Sequence, residues 1–76
     1  VLKKDPSLKE FGERIREARK SKGLSQEALA FAAGIDRSYM GGVERGERNL
    51  SFKKMCHIAD ILGCDLGTLT KGLPTK

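Results

Sequence analysis

The sequence predicts an all-α protein of five short helices, on three observations. Apolar residues recur at spacings of three and four along separate segments, the pattern of helices with one buried face. Ser or Asp stands just before each segment, and Gly follows most of them. No stretch alternates apolar and polar residues as a half-buried strand would.

Each helix has its own start and stop. Ser7-Leu8-Lys9-Glu10 is a capping box behind Asp5 and Pro6, so the first helix is expected to begin near Leu8. Leu8, Phe11, Ile15 and Ala18 form its apolar stripe, and Gly23 suits a left-handed cap at its end. Ser25 caps a second helix that turns Ala28, Leu29 and Ala33 inward and closes at Gly34. Phe31 is expected to pack over the turn near Ile35. Asp36 caps a third helix, Arg37 to Arg45, stopped by Gly46, with Met40 and Val43 inward. Arg37, Ser38, Gly41, Gly42 and Arg45 are then left outward. Two glycines inside this helix cost about 1 kcal/mol each relative to Ala, so tertiary packing has to hold it. Arg48-Asn49-Leu50 is a loop, and Ser51 caps a fourth helix whose stripe is Phe52, Met55, Ile58, Ala59 and Leu62, ended by Gly63. Asp65 caps a short fifth helix carrying Leu66 and Leu69. The tail from Lys71 to Lys76 is expected to fray.

At 76 residues the chain has room for one domain, taken as residues 1–76. A domain of this size buries only about 60% of the surface its unfolded chain exposes, so a partner subunit would add stability. No apolar run approaches the ~20 residues of a membrane span, and no signal-peptide core is visible. A cytoplasmic, nucleoid-associated protein with no membrane contact is expected. The two cysteines, Cys56 and Cys64, fit neither a disulfide framework nor a common zinc spacing, and are expected to be buried free thiols. No metal or cofactor is expected. The lone His57 has no nucleophile or carboxylate constellation at a recognisable spacing, which argues against an enzyme.

The net charge of +5 suits a polyanion, but it is unevenly placed. Residues 1–22 carry eight Lys and Arg against four acids, residues 23–50 three against four, and residues 51–76 four against two. The segment from Leu24 to Asn49, a helix pair broken by Gly34 over about residues 25–45, is therefore not the basic part. Such a pair is how a small protein places one helix in the major groove of DNA. Flanking helices would then supply general attraction, and the middle would supply individually placed contacts.

Residues 8–70 resemble the Cro/Xre-type helix-turn-helix repressors, the phage-repressor-like five-helix DNA-binding domains. The resemblance rests on Gly23-Leu24-Ser25-Gln26, Leu29-Ala30, Gly34, Val43-Glu44-Arg45-Gly46 and Ala59 through Leu62-Gly63. Within that group, Asp36-Arg37-Ser38-Tyr39 and Arg48-Asn49-Leu50-Ser51 are most similar to the controller proteins of restriction–modification systems. Those are small homodimers that bind palindromic sites upstream of their own gene. The resemblance implies double-stranded DNA, a second copy of the chain and RNA polymerase as partners. An antitoxin or phage-type repressor would share the fold. A helix-turn-helix adaptor for protein contact is the alternative from another class, against which Gln26 and Arg37 argue.

The resemblance gives Gln26 a phosphate contact, which the N-terminus of its helix favours independently. Arg37, Ser38 and Tyr39 form the first turn of the third helix, where base edges are reached. Arg37 can grip guanine with two parallel hydrogen bonds or hold a phosphate. Ser38 can donate or accept. Tyr39 can touch a base or a thymine methyl, or its ring can cover the helix pair. Gly41 and Gly42 would let the helix backbone approach DNA closely, leaving part of the specificity to DNA shape. Arg48, Asn49 and Ser51 are expected to clamp phosphates, with Ser51 also a cap. Arg19 and Glu44 are carried over as an ion pair between first and third helices, the alternative being two solvated charges. Ile61, Leu66 and Leu69 are the implied dimer patch.

Overall fold

In the computed structural model, residues 5–75 are described. They form α1 (Pro6–Ser21), α2 (Gln26–Ala33), α3 (Arg37–Glu44), α4 (Phe52–Leu62) and α5 (Leu66–Thr70), with no strand among them. None of these helices is long and apolar enough to cross a membrane.

Local chemistry sets most boundaries. Ser25, Asp36, Ser51 and Asp65 each accept a backbone N–H of the helix they precede. The start of α1 lies two residues earlier than expected. Asp5 Oδ1 accepts from the N–H groups of Ser7 (2.8 Å) and Leu8 (3.3 Å), with Pro6 at the first helical position. An Asp cap followed by proline, whose missing N–H costs nothing there, prevails over the Ser7 capping box. The turn between α2 and α3 depends on Gly34, whose φ of 67° is left-handed and disfavours any side chain.

The helices close around one core. α1 contributes Phe11 and Ile15, α2 Leu29, Ala30 and Ala33, and α3 Met40 and Val43. Ile58, Ala59 and Leu62 of α4 and Leu69 of α5 complete it. Full burial of a side chain such as Ile15 contributes about 1.5–3 kcal/mol. α1 packs on α2, α3 and α5, while α4 packs on α2 and α5. α3 rests mainly on α1 and α2, so the rest of its surface faces outward.

The α1–α3 approach is unusually close at Gly12 and Gly46. A Cβ on Gly12 would lie 2.3 Å from the carbonyl oxygen of Val43, and one on Gly46 would lie 2.5 Å from Lys9 Cα. Neither neighbour is a side-chain tip that could swing away. α1 therefore lies against the backbone end of α3, and that contact fixes where α3 points.

Several expectations do not survive. Leu69 is 1% exposed, sealed inside its own protomer by α1 and α4, and cannot form a dimer surface. Ala30 is buried while Ala28 is only half-buried. Phe52, the first residue of α4, is 69% exposed because only the later turns of that helix reach the core. Phe31 is 89% exposed on the face of α2 opposite its buried residues rather than packed near Ile35. Cys56 is exposed and Cys64 half-buried. The tail is tied down as far as Thr75. Arg14 Nη1 donates to the carbonyls of Lys71 (2.7 Å) and Leu69 (3.3 Å), Leu73 packs on the core, and Thr75 N–H donates to Ser7 Oγ at 2.8 Å. Lys76 lies outside the described residues.

Candidate nucleic-acid interface

The outward face of α3 is built on a buried ion pair. Arg19 Nε and Nη2 donate to the two oxygens of Glu44 at 2.7 and 3.0 Å, and both residues are buried. This is the two-pronged geometry in which arginine binds carboxylate most strongly. Arg19 Nη1 also donates to the carbonyl of Leu24 at 2.9 Å, so α1, the turn before α2 and α3 share one guanidinium. Of the two readings open for this pair, the buried one holds.

Gln26 extends the network outward. Its Nε2 donates to Glu44 Oε1 at 3.1 Å, and its Oε1 accepts from Arg37 Nη1 at 3.4 Å. Arg37 is exposed at the head of α3 and is tethered, through Gln26 and Glu44, to the interior of the domain. The Arg37 side chain is thereby held beside the start of α2.

The cap of α3 constrains its neighbours. Asp36 accepts from Ser38 N–H (3.0 Å), Tyr39 N–H (3.3 Å) and the Ser38 hydroxyl. The Ser38 hydroxyl, then the Tyr39 and Ser38 N–H groups and the Arg37 charge, hold the Asp36 carboxyl below its ordinary value. Because Ser38 spends its one hydroxyl proton on Asp36, it faces outward as an acceptor, narrower than the donor-or-acceptor role expected of it.

Tyr39 donates its hydroxyl to the Asn49 carbonyl, and its ring is 38% exposed. The Arg48 guanidinium lies 5.7 Å from the ring centroid, within cation–π range. Tyr39 thus fastens the loop after α3 to the helix. Arg48 and Asn49 are exposed in that loop, and Ser51 Oγ accepts from Lys54 N–H at 3.1 Å.

Gly41 and Gly42 are not open to solvent as expected; both are buried. Side chains of the protein itself fold over them. A Cβ on Gly41 would lie 3.1 Å from Arg45 Nη1 and 3.3 Å from Gln26 Oε1, and one on Gly42 would lie 2.6 Å from Arg48 Cγ. Two shallow grooves flank α3. One runs between Arg16, Gln26, Gly41 and Arg45, and the other between Ser38, Tyr39, Gly42 and Arg48.

Arg16 and Arg45 were not singled out by sequence reasoning as contact residues, although both rim the first groove. Arg45 is paired with Glu47 at 3.0 Å, with both side chains exposed. Lys54 was also missed; its Nζ donates to the Ala33 carbonyl at 2.7 Å and so caps the end of α2. Charge at a helix end was the available signal for Arg45, the C-cap of α3, whereas Lys54 reaches an α2 carbonyl 21 residues away and gave none. Ile61 and Leu66 lie half-buried on α4 and α5, elements that pack on α1 and α2 rather than on α3.

Residues 15–69 match the family model described as helix-turn-helix. The chain is similar to Control protein C.BamHI of Bacillus amyloliquefaciens, 43% identical over 54 residues, covering 70% of this chain and 67% of that one. Its fold is similar to the restriction–modification controller protein C.AhdI from Aeromonas hydrophila, at TM-score 0.78 and 53% identity over 82% of this chain and 94% of that one. It is also similar to the biofilm regulator SinR in complex with DNA, at TM-score 0.73 and 35% identity over 78% of this chain and 95% of that one. The chain spans 67% of the length of C.BamHI, 81% of C.MunI and 53% of the Bacillus subtilis regulator YqaE, all curated relatives it matches. A helix pair that turns at Gly34, a second helix presented outward on the Arg19–Glu44 pair, and these likenesses agree: the chain belongs to the Cro/Xre-type helix-turn-helix family of DNA-binding transcription regulators, alongside the restriction–modification control proteins.

Proposed function

We propose that this protein is a homodimeric controller of a restriction–modification system, binding a palindromic operator upstream of its own gene with α3 in the major groove. The observation that carries the reading is the placement of Arg37. It is exposed in the first turn of α3, and Gln26 and Glu44 tether it to the Arg19 pair. Arginine so held suits bidentate recognition of guanine. Ser38 offers an acceptor beside it, suited to an amino group of adenine or cytosine.

Gln26, Arg48, Asn49 and Ser51 supply the backbone contacts, set around the reading turn on α2, on the loop after α3 and at the start of α4. They fix register without carrying sequence information. The similarity to C.BamHI and C.AhdI supports the controller assignment. Bound upstream of a promoter, the dimer would stand beside RNA polymerase.

Selection of bound sites from a random pool of duplexes tests this reading. The expected result is a two-fold symmetric consensus whose half-sites are centred about one helical turn, ~34–36 Å, apart. A consensus without symmetry, or no consensus, overturns it. A phage-type repressor would use the same face, and an endonuclease gene beside this one separates the two.

A further inference from the structure

Gly42 is buried in the middle of α3, where no left-handed φ requires a glycine. Glycine within a helix is destabilising relative to alanine, so its presence calls for a steric cause. The cause on view is Arg48. A Cβ at position 42 would lie 2.6 Å from Arg48 Cγ and 3.6 Å from Arg48 Cβ. At Gly41, by contrast, the nearest atoms are the tips of the Arg45 and Gln26 side chains, which can move aside. At Gly42 the obstacle is Arg48 Cγ, near the base of the side chain rather than its tip, so the whole course of that side chain would change.

The loop is fastened to α3 on either side of this point. Glu47 N–H donates to the Gly42 carbonyl at 2.8 Å, and the Tyr39 hydroxyl donates to the Asn49 carbonyl. Between these two ties the Arg48 stem crosses Gly42, and its guanidinium comes to rest 5.7 Å from the Tyr39 ring centroid. The stem occupies the space that a side chain at position 42 would fill.

The geometry assigns Gly42 the role of positioning residue for Arg48: its missing side chain is the channel that delivers the Arg48 guanidinium to a DNA phosphate, and not an opening for the DNA itself. The assignment rests on the reading of α3 as the groove-entering helix. It makes Gly42 a determinant of affinity that is indifferent to base sequence, because phosphate contacts carry no sequence information.

The test is a double-mutant cycle on the whole chain: wild type, Gly42→Ala, Arg48→Ala and the double variant. Each is titrated against the selected duplex and a scrambled one over a range of salt. The single variants should lose affinity by similar factors on both duplexes, each lowering the salt slope by about one. Gly42→Ala should add no loss where Arg48 is already alanine. A further loss in that background, or a loss confined to the selected duplex, overturns the assignment and makes Gly42 a point of DNA approach. Should Gly42→Ala alone fail to fold, Arg48→Ala against the double variant carries the test. There the side chain at 48 ends at a Cβ in ordinary contact distance of the added methyl, at 3.6 Å. Wild-type protein that prefers no duplex overturns the DNA reading together with the role, whereas wild-type preference with additive losses overturns the role alone.

Discussion

Gln26 Nε2 donates to Glu44 Oε1 at 3.1 Å, joining the first residue of α2 to the last of α3 through a carboxylate whose two oxygens Arg19 already holds. One buried anion therefore fixes the angle of the helix pair and steadies the residue against which Arg37 leans. Stability and the placement of Arg37 meet at Glu44.

Glu44→Ala leaves the Arg19 guanidinium buried without its partner, and the expected cost is about 3–5 kcal/mol. Arg19→Met combined with Glu44→Leu should lose much less, because neither charge is then stranded. Urea unfolding of the two variants checks this. Equal losses would mean that the pair is not the source of the penalty.

Arg37→Ala should weaken the selected site and relax preference at one base pair per half-site, by about 1–3 kcal/mol of discrimination. Arg48→Ala should weaken all duplexes alike and lower the salt slope by about one. Competition binding with single-position operator variants separates them. Identical profiles would abolish the division between a reading and a clamping arginine.

Helix caps were legible in the sequence because a cap is a local bargain between one side chain and N–H groups two or three residues on. Ser25, Asp36, Ser51 and Asp65 all cap as their positions imply. Asp5-Pro6 and Ser7 presented two overlapping local signals, and the sequence alone does not rank them. What was not legible depends on partners far along the chain. Gly42 looks exposed on a helical wheel, yet the loop after α3 sends Arg48 back over it. Leu69 looks available to a second subunit until α1 and α4 close around it. The Arg19–Glu44 pair came from likeness to a family, since neither residue's neighbours reveal that two helices bring them together.

The role of Gly12 was not legible in the sequence either. Its role depends on the Val43 and Glu44 carbonyls, against which a Cβ would lie at 2.3 and 2.7 Å. Gly12→Ala must therefore push α1 from α3, outweighing the gain of about 1 kcal/mol that alanine brings to a helix. A net loss at the upper end of about 1–3 kcal/mol is expected, with weakened DNA binding because the Arg19–Glu44 geometry opens. Thermal unfolding and binding measured on the same sample check both. A more stable Gly12→Ala variant would show that the close approach is not required.

The depressed Asp36 carboxyl makes the start of α3 sensitive to acid. Its charged form is favoured in the folded state by the Ser38 hydroxyl and by two N–H groups. Its contribution is therefore fully present above the ordinary aspartate value of about 3.9 and is lost as pH falls below that, through the folded-state value. The stability difference between wild type and Asp36→Asn should be flat near neutral pH and shrink in that acid window. A difference that grows on acidification would reverse the sign and refute the cap's charge as its source.

The proposed dimer surface excludes Leu69, which is buried within its own protomer. Leu69→Asp would place a charge in a site 1% exposed and unfold the protomer, so it says nothing about association. Ile61 and Leu66 are half-buried, packed on the core by one side and open on the other, which leaves apolar area for a second copy. A variant carrying Ile61→Asp and Leu66→Asp should sediment as a monomer while keeping its helical signal. Because α3 is on another part of the fold, the monomer should retain the base preference of Arg37 at a single half-site yet bind the full palindrome more weakly. An undiminished dimer in sedimentation would remove this surface from consideration. A monomer that still binds the palindrome at full strength would instead break the link between dimerisation and operator symmetry.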